Sequence, residues 1–313
     1  MKYAYLFPGQ GAQYVGMGKD LTEAYPTARR LFEEADEALG FSLSKIILEG
    51  PEDKLRLTYH TQPALLVTSV AAYRVFVEQG GEAQPVVVAG HSLGEYSALT
   101  AIGALDFTEA VRLVHLRGRW MDEAVPAGQG AMSAVMGMEH ALLAQICAQA
   151  TAEVGVVEVA NVNCPVQIVI SGTKAGVERA SEMAREQGAR RVIPLVVSGP
   201  FHCSLMRPAA AKLQAELEKT AIGQVGIPVV ANVDGQPKTY PADIRKALEQ
   251  QLYLPVLFEQ DIGTMLDMGV ETFIEFGPGT VLSGLVKKIQ RRIPTLHVEN
   301  ESTLQETLAA IRS

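Results

Sequence analysis

Four apolar residues, Val86-Val87-Val88-Ala89, run straight into Gly90-His91-Ser92-Leu93-Gly94, and helical spacing follows over residues 95–102. An unbroken apolar run of this kind reads as a strand buried on both faces, as in a parallel sheet. Strand, tight turn and helix in that order point to an α/β fold. The turn matches G-x-S-x-G, the nucleophile elbow. Such a turn lifts the Ser92 hydroxyl above the sheet, and the flanking glycines remove Cβ atoms that would collide there. The following helix presents backbone N–H groups and a positive dipole end to developing negative charge. Ser92 is therefore the candidate nucleophile.

The rest of the chain extends this plan. Residues 3–7 read as a second short buried strand, closed by Pro8-Gly9-Gln10-Gly11. Residues 27–39 have helical spacing, with Ala28, Leu31, Phe32, Ala35 and Leu39 on one face. Thr61-Gln62-Pro63 reads as a helix start, with Thr61 as cap and Pro63 in the first turn. From residue 130 the pattern changes. A strand (130–138), a helix (139–150), two strands (154–160 and 166–170) joined at Asn163-Cys164-Pro165, a helix (173–187) and a strand (191–197) give the order βαββαβ, the ferredoxin-like pattern. Beyond it, a helix at 205–220, strands at 229–233 and 273–276, and a helix at 281–289 return to the first sheet. The expected fold class is α/β: a large α/β-hydrolase-like domain with a parallel sheet (1–127 and 198–313) and an inserted ferredoxin-like small domain (128–197).

A serine needs a base. Of the six histidines, His60, His115, His140 and His297 sit in no distinctive setting, and His91 adjoins Ser92 so that its ring should point away from the hydroxyl. His202, in Ser198-Gly199-Pro200-Phe201-His202, follows a strand and precedes a helix, at a strand's carboxyl end where α/β sites gather. It is the favoured base.

Lys plus Arg number 27 and Asp plus Glu 35, a net charge of −8. An acidic chain is repelled by nucleic acid and by anionic membranes, so neither is an expected partner. No apolar run is long enough to span a bilayer. Cys147, Cys164 and Cys203 are sparse and form no metal-like pair. With no leader-like segment, the expected location is the cytoplasm.

Several stretches together resemble the malonyl-CoA:acyl carrier protein transacylases. These are Phe7-Pro8-Gly9-Gln10-Gly11, Gly90-His91-Ser92-Leu93-Gly94-Glu95-Tyr96-Ser97-Ala98, Arg117-Gly118, Asn161-Val162-Asn163, Gly199-Pro200-Phe201-His202, Gln251-Leu252-Tyr253 and Phe276-Gly277-Pro278-Gly279. They occur in order over essentially the whole chain. The resemblance implies Ser92 as the acylated nucleophile, His202 as its base, and Gln251 near the histidine with a carbonyl that orients the ring. It implies an oxyanion hole from the backbone N–H groups of Gln10 and Leu93, and Arg117 as the grip on the malonyl carboxylate. Phe201 would crowd the carbon alpha to the thioester, and Asn161 and Asn163 belong to the substrate-binding set. No metal or redox cofactor is implied; coenzyme A enters as a thioester substrate, malonyl-CoA, and the acceptor is acyl carrier protein. A monomer is expected.

The basic run Lys287, Lys288, Arg291 and Arg292 is a candidate docking surface for an acidic carrier, with Arg190 and Arg191 a smaller one. Competing readings are a free-standing acyltransferase for a polyketide synthase, a serine thioesterase or esterase with Asp106 or Asp122 as third member, and a non-catalytic docking protein.

Overall fold

The computed structural model describes residues 1–81 and 83–312. Ten strands form two sheets: β1 (Tyr3–Phe7), β2 (Pro85–Gly90), β3 (Gly130–Met136), β4 (Val157–Cys164), β5 (Gln167–Thr173), β6 (Arg191–Pro194), β7 (Val229–Ala231), β8 (Gln236–Lys238), β9 (Thr272–Phe276) and β10 (Thr295–Val298). The larger sheet has the order β10-β9-β1-β2-β7-β8. Its pairs are parallel except the β7–β8 hairpin.

Every residue of β1 is buried. Side chains alternate across a strand. Tyr3, Tyr5 and Phe7 therefore join one core layer, and Ala4 and Leu6 join the other. On the first side Tyr5 and Phe276 meet edge-on at 4.8 Å between ring centres, beside Tyr73 and Phe76. Such pairs add about 0.5–1.5 kcal/mol each beyond their buried area. Leu6 pairs with both Ala89 and Glu275 in register, so β1, β2 and β9 end level. The loops after them converge at the carboxyl edge, the place where open α/β sheets bind ligands.

The smaller sheet, order β4-β5-β3-β6, is antiparallel throughout. Two helices, His140–Glu153 and Lys174–Glu186, cover one face around a separate core that includes Leu143, Ile146, Ile170, Val177 and Met183. The other face, with Met132, Ala134 and Val169, packs into the core of the larger unit. Order and direction are those of a ferredoxin-like βαββαβ unit.

Some boundaries differ from the sequence reading. The first strand of the inserted pair begins at Val157 because Val154 still closes the preceding helix through Ala150 O and Gly155 has φ 150°. It continues to Cys164, which pairs with Gln167, so the turn falls on Pro165-Val166. β6 stops at Pro194, where the chain leaves the sheet to line a cavity with Leu195 and Val197.

The helix expected to start at Thr61 starts at Thr58, which places Pro63 inside it. Proline removes one N–H and frees the carbonyl four residues back. That carbonyl, Tyr59 O, accepts instead from His115 Nδ1 at 2.7 Å. The Thr61 hydroxyl does not cap; it donates to Leu55 O at 2.6 Å.

Candidate active site

Ser92 sits between β2 and the helix Gly94–Ala101 with φ 52°, in the left-handed region. A non-glycine residue there stores about 1–3 kcal/mol of strain. The two elbow glycines are required by space. A Cβ on Gly94 would lie 2.0 Å from Phe7 O, and one on Gly90 would lie 1.9 Å from Gly94 C. Their absence lets the elbow nest against the end of β1 and brings the Gln10 loop beside Ser92.

Ser92 Oγ lies 2.9 Å from His202 Nε2. His202 also has positive φ, 58°, and its backbone N–H donates to Leu252 O. Its Nδ1 lies 2.7 Å from the backbone carbonyl of Gln251. A carbonyl only accepts, so Nδ1 carries the proton. Nε2 is then a lone pair facing the hydroxyl, which donates to it. Burial, and next the Arg117 cation, pull the His202 pKa down to about 3. The ring is neutral and ready to receive a proton.

The Gln251 side chain has a different task. Its Oε1 accepts from Arg117 at 2.8 Å, and its Nε2 donates to Ser92 O at 3.0 Å. Arg117, on the helix Phe107–Glu123, is 1 % exposed. Its guanidinium donates to Gln62 Oε1 at 2.7 Å and to Ser92 Oγ at 3.0 Å, and it lies over the Tyr96 ring. Its Nε has no partner among the described residues. Its hydrogen-bond partners there are thus all neutral. Burial lowers its pKa, but guanidinium stays charged in proteins. The nearby Glu95 carboxyl is pushed up by burial to about 7 and so is only partly ionised near neutrality.

Ser92, His202 and Arg117 line a cavity of about 100 Å³ whose walls include Gln10, Leu93, Met121, Met132, Asn161, Phe201 and Val197. Among the described residues, the backbone N–H groups of Gln10 and Leu93 have no protein acceptor. Asn161 reaches this wall, whereas Asn163 Oδ1 accepts from His91 Nε2 at 2.8 Å and turns that ring away from Ser92 Oγ. Asp106 caps the helix Phe107–Glu123, and Asp122 accepts from Ser198 Oγ, so neither reaches His202.

Lys287 and Lys288 end the helix Val281–Ile289, which runs from the carboxyl end of β9 back towards the start of β10; Arg291 and Arg292 follow. That places the run at the amino edge of the sheet, opposite Ser92. The structure does not bring it to the site. Nor is there a group of three or more His, Cys, Asp or Glu placed to hold a metal among the described residues. No helix there is long and apolar enough to cross a membrane.

Sequence reasoning missed Gln62, Asn232 and Glu95 as parts of the site. Glu95 was visible inside the elbow motif. Gln62 and Asn232 carried no local signal, because their partners are 55 and 140 residues away.

Comparison with known proteins places this geometry. A family model described as acyl transferase domain matches residues 4–305. A malonyl CoA-acyl carrier protein transacylase of Bacillus subtilis is 53% identical over 311 residues, covering 99% of this chain and 98% of the relative. One from Escherichia coli K12 is 50% identical over 288 residues, 92% and 93%. Among solved structures, an acyl carrier protein S-malonyltransferase from Vibrio cholerae superposes with TM-score 0.94 at 47% identity, covering 98% and 99%. A malonyl-transacylase in complex with a type II polyketide synthase acyl-carrier protein superposes with TM-score 0.96 at 43% identity, covering 99% and 100%.

Proposed function

This chain belongs to the acyl transferase family, and from that premise we infer that it moves a malonyl group from coenzyme A to the thiol of acyl carrier protein. The observation that carries the acyl assignment is Arg117. A buried cation whose hydrogen-bond partners are all neutral, with only the partly ionised Glu95 nearby, costs several kcal/mol unless a full anion joins it. A carboxylate on the acyl group supplies that anion. Guanidinium can grip it bidentately beside the thioester carbonyl. Acetyl groups offer nothing in return.

Ser92 gives its proton to His202 Nε2 and attacks the thioester carbonyl. The C–O bond forms, and the tetrahedral oxyanion takes the N–H groups of Gln10 and Leu93. Each such donor contributes about 3–4 kcal/mol to the transition state. The C–S bond then breaks, and the sulfur of coenzyme A leaves with the proton from His202. The pantetheine thiol of the carrier repeats the steps in reverse on the malonyl-serine ester. The Gln251 backbone carbonyl keeps the imidazole in the required tautomer and orientation; being neutral, it stabilises imidazolium less than a carboxylate. The incoming malonate charge offsets the push of Arg117 on His202, so the base strengthens when the correct substrate is bound.

Phe201 and the two methionines crowd the acyl cavity. Steric exclusion of a methyl branch is worth about 1–3 kcal/mol, which gives real but incomplete selectivity against methylmalonyl groups. Asn161 completes the wall from the inserted unit, taken as residues 128–197 within a large domain of 1–127 and 198–313. Asn163 acts through His91. Coenzyme A enters as part of the substrate. The product supplies extender units for fatty acid biosynthesis.

The test is the intact mass of the protein after mixing with malonyl-CoA, followed by carrier protein bearing its pantetheine arm. A malonyl adduct confined to Ser92 and passed to the carrier is expected. Loss of the adduct to water as fast as to carrier would make the chain a hydrolase instead.

A further inference from the structure

Behind the nucleophile, on the side away from the acyl cavity, lies a buried polar cluster that the transfer chemistry does not use. Its centre is Asn232, fully buried just after β7. Oδ1 of Asn232 accepts from the Ser92 backbone N–H at 2.8 Å and from Gln251 Nε2 at 3.3 Å. Its Nδ2 donates to Gly90 O at 2.8 Å and to Asp261 Oδ2 at 2.7 Å. Its own backbone N–H donates to Glu95 Oε1 at 2.6 Å, and its carbonyl accepts from Leu257 N–H at 2.8 Å. Both acceptor positions and both donors of the side-chain amide are filled.

This pattern admits few other residues. One amide spans Gly90 O and Ser92 N–H, the two backbone groups on either side of His91. It thereby pins the left-handed turn that aims Ser92 Oγ. Only a side chain with an acceptor and a two-hydrogen donor on one carbon can do this, and aspartate lacks the donor. Asp261, on the helix Phe258–Asp267, accepts from Nδ2 and so fixes which way the amide faces, while Glu95, on the helix Gly94–Ala101, anchors the Asn232 backbone. Asp261 Oδ1 has no hydrogen-bond partner among the described residues. Through Gln251, the same amide is one step from Arg117.

We propose that Asn232 is a positioning residue for the acyl transfer: it holds the elbow in the geometry that Ser92 needs, and Asp261 locks its orientation. Asn232 acts through Ser92 and touches no substrate atom. The inference rests on the proposed role of Ser92 as nucleophile. It does not depend on which acyl group is carried.

The experiment compares wild type, Asn232→Ala and Asp261→Asn by three readouts on the full chain. They are the single-turnover rate of Ser92 acylation by malonyl-CoA, the KM for malonyl-CoA, and the rate of labelling by a serine-directed fluorophosphonate. Small misplacement of a reacting group lowers rate steeply, by up to about a hundredfold for 1 Å. Asn232→Ala is expected to slow both acylation and labelling by about tenfold or more, with KM moved by less than about threefold. Asp261→Asn, remote from the reacting atoms, is expected to slow both in the same ratio to each other, by a smaller factor. A folded Asn232→Ala protein with wild-type labelling would overturn the proposal. If that variant does not fold, unchanged acylation and labelling in Asp261→Asn overturns it, and slowed labelling at unchanged KM supports it. Labelling without any malonyl adduct in wild type would instead count against the malonyl reading and leave this comparison valid.

Discussion

In the proposed mechanism two side chains decide what the site does, and each is set by its neighbours. There His202 serves as base because Gln251 O accepts the hydrogen bond from its Nδ1–H and leaves Nε2 free to take the serine proton. Ser92 serves as nucleophile in the same proposal because its hydroxyl has an acceptor on one side and the Arg117 donor on the other. Replacing His202 by Ala should abolish the Ser92 adduct on the time scale of turnover, read by intact mass. Because burial and the Arg117 cation hold its pKa down at about 3 in the free protein, kcat/KM for acylation by malonyl-CoA, which reports the free protein, should show no acid limb near the ordinary histidine value. A limb with a midpoint near 6.5 would contradict this reading. Glu95 tests the electrostatics from the other direction. Its folded pKa is raised from 4.5 to about 7, so between those values the folded state holds more protons than the unfolded one. Stability attributable to Glu95 is therefore present at low pH and lost as pH rises through about 7. Glu95→Gln, which keeps an acceptor for Asn232 N–H, should gain stability relative to wild type at pH 8 compared with pH 4.5, measured by denaturant midpoints.

At the scale of elements, the elbow is the joint between β1, β2 and the helix Gly94–Ala101. Gly94→Ala should destabilise the protein by about 1–3 kcal/mol, because a Cβ there overlaps the Phe7 carbonyl and the helix must move away. Thermal unfolding together with Ser92 labelling would show both effects; a wild-type midpoint would show that the close approach does not matter. These elements were the legible ones. The apolar run of β2, the glycines of its turn and the alternation of β1 are local patterns, and the order βαββαβ follows from several of them in sequence. The failures came where a distant partner overrides a local preference. Pro63 reads as a helix start until His115, 52 positions later, takes the carbonyl it frees. Asn232 reads as the end of a strand until the elbow it braces is in place. The basic run at Lys287 reads as a docking patch, and topology puts it at the amino edge of the sheet, away from Ser92. Ser92 and His202 stood out because a strained turn and a strand-end loop leave a mark in sequence. The motif resemblance supplied Arg117, Gln10 and Gln251, whose partners lie in other elements.

For the molecule as a whole, two sheets with separate functions meet over one small cavity. The large sheet brings Ser92, His202 and Arg117, the proposed nucleophile, base and cation, to the cavity from loops and helices. The smaller sheet closes the acyl end through Met132 and Asn161, with Leu195 and Val197 after it. A cavity of about 100 Å³ admits a short acyl group and leaves the bulk of coenzyme A or of a carrier outside. That division explains how one site serves a small donor and a protein acceptor in turn. The central claim is that the buried Arg117 charge makes this a malonyl site. The decisive measurement is the rate of Ser92 acylation by malonyl-CoA and by acetyl-CoA in wild type and in Arg117→Ala. Removing a buried charged contact is worth about 2–5 kcal/mol, so malonyl transfer should fall by about a hundredfold or more while acetyl transfer holds or rises, reversing the preference. Parallel loss of both rates, with the malonyl preference intact, would contradict the account.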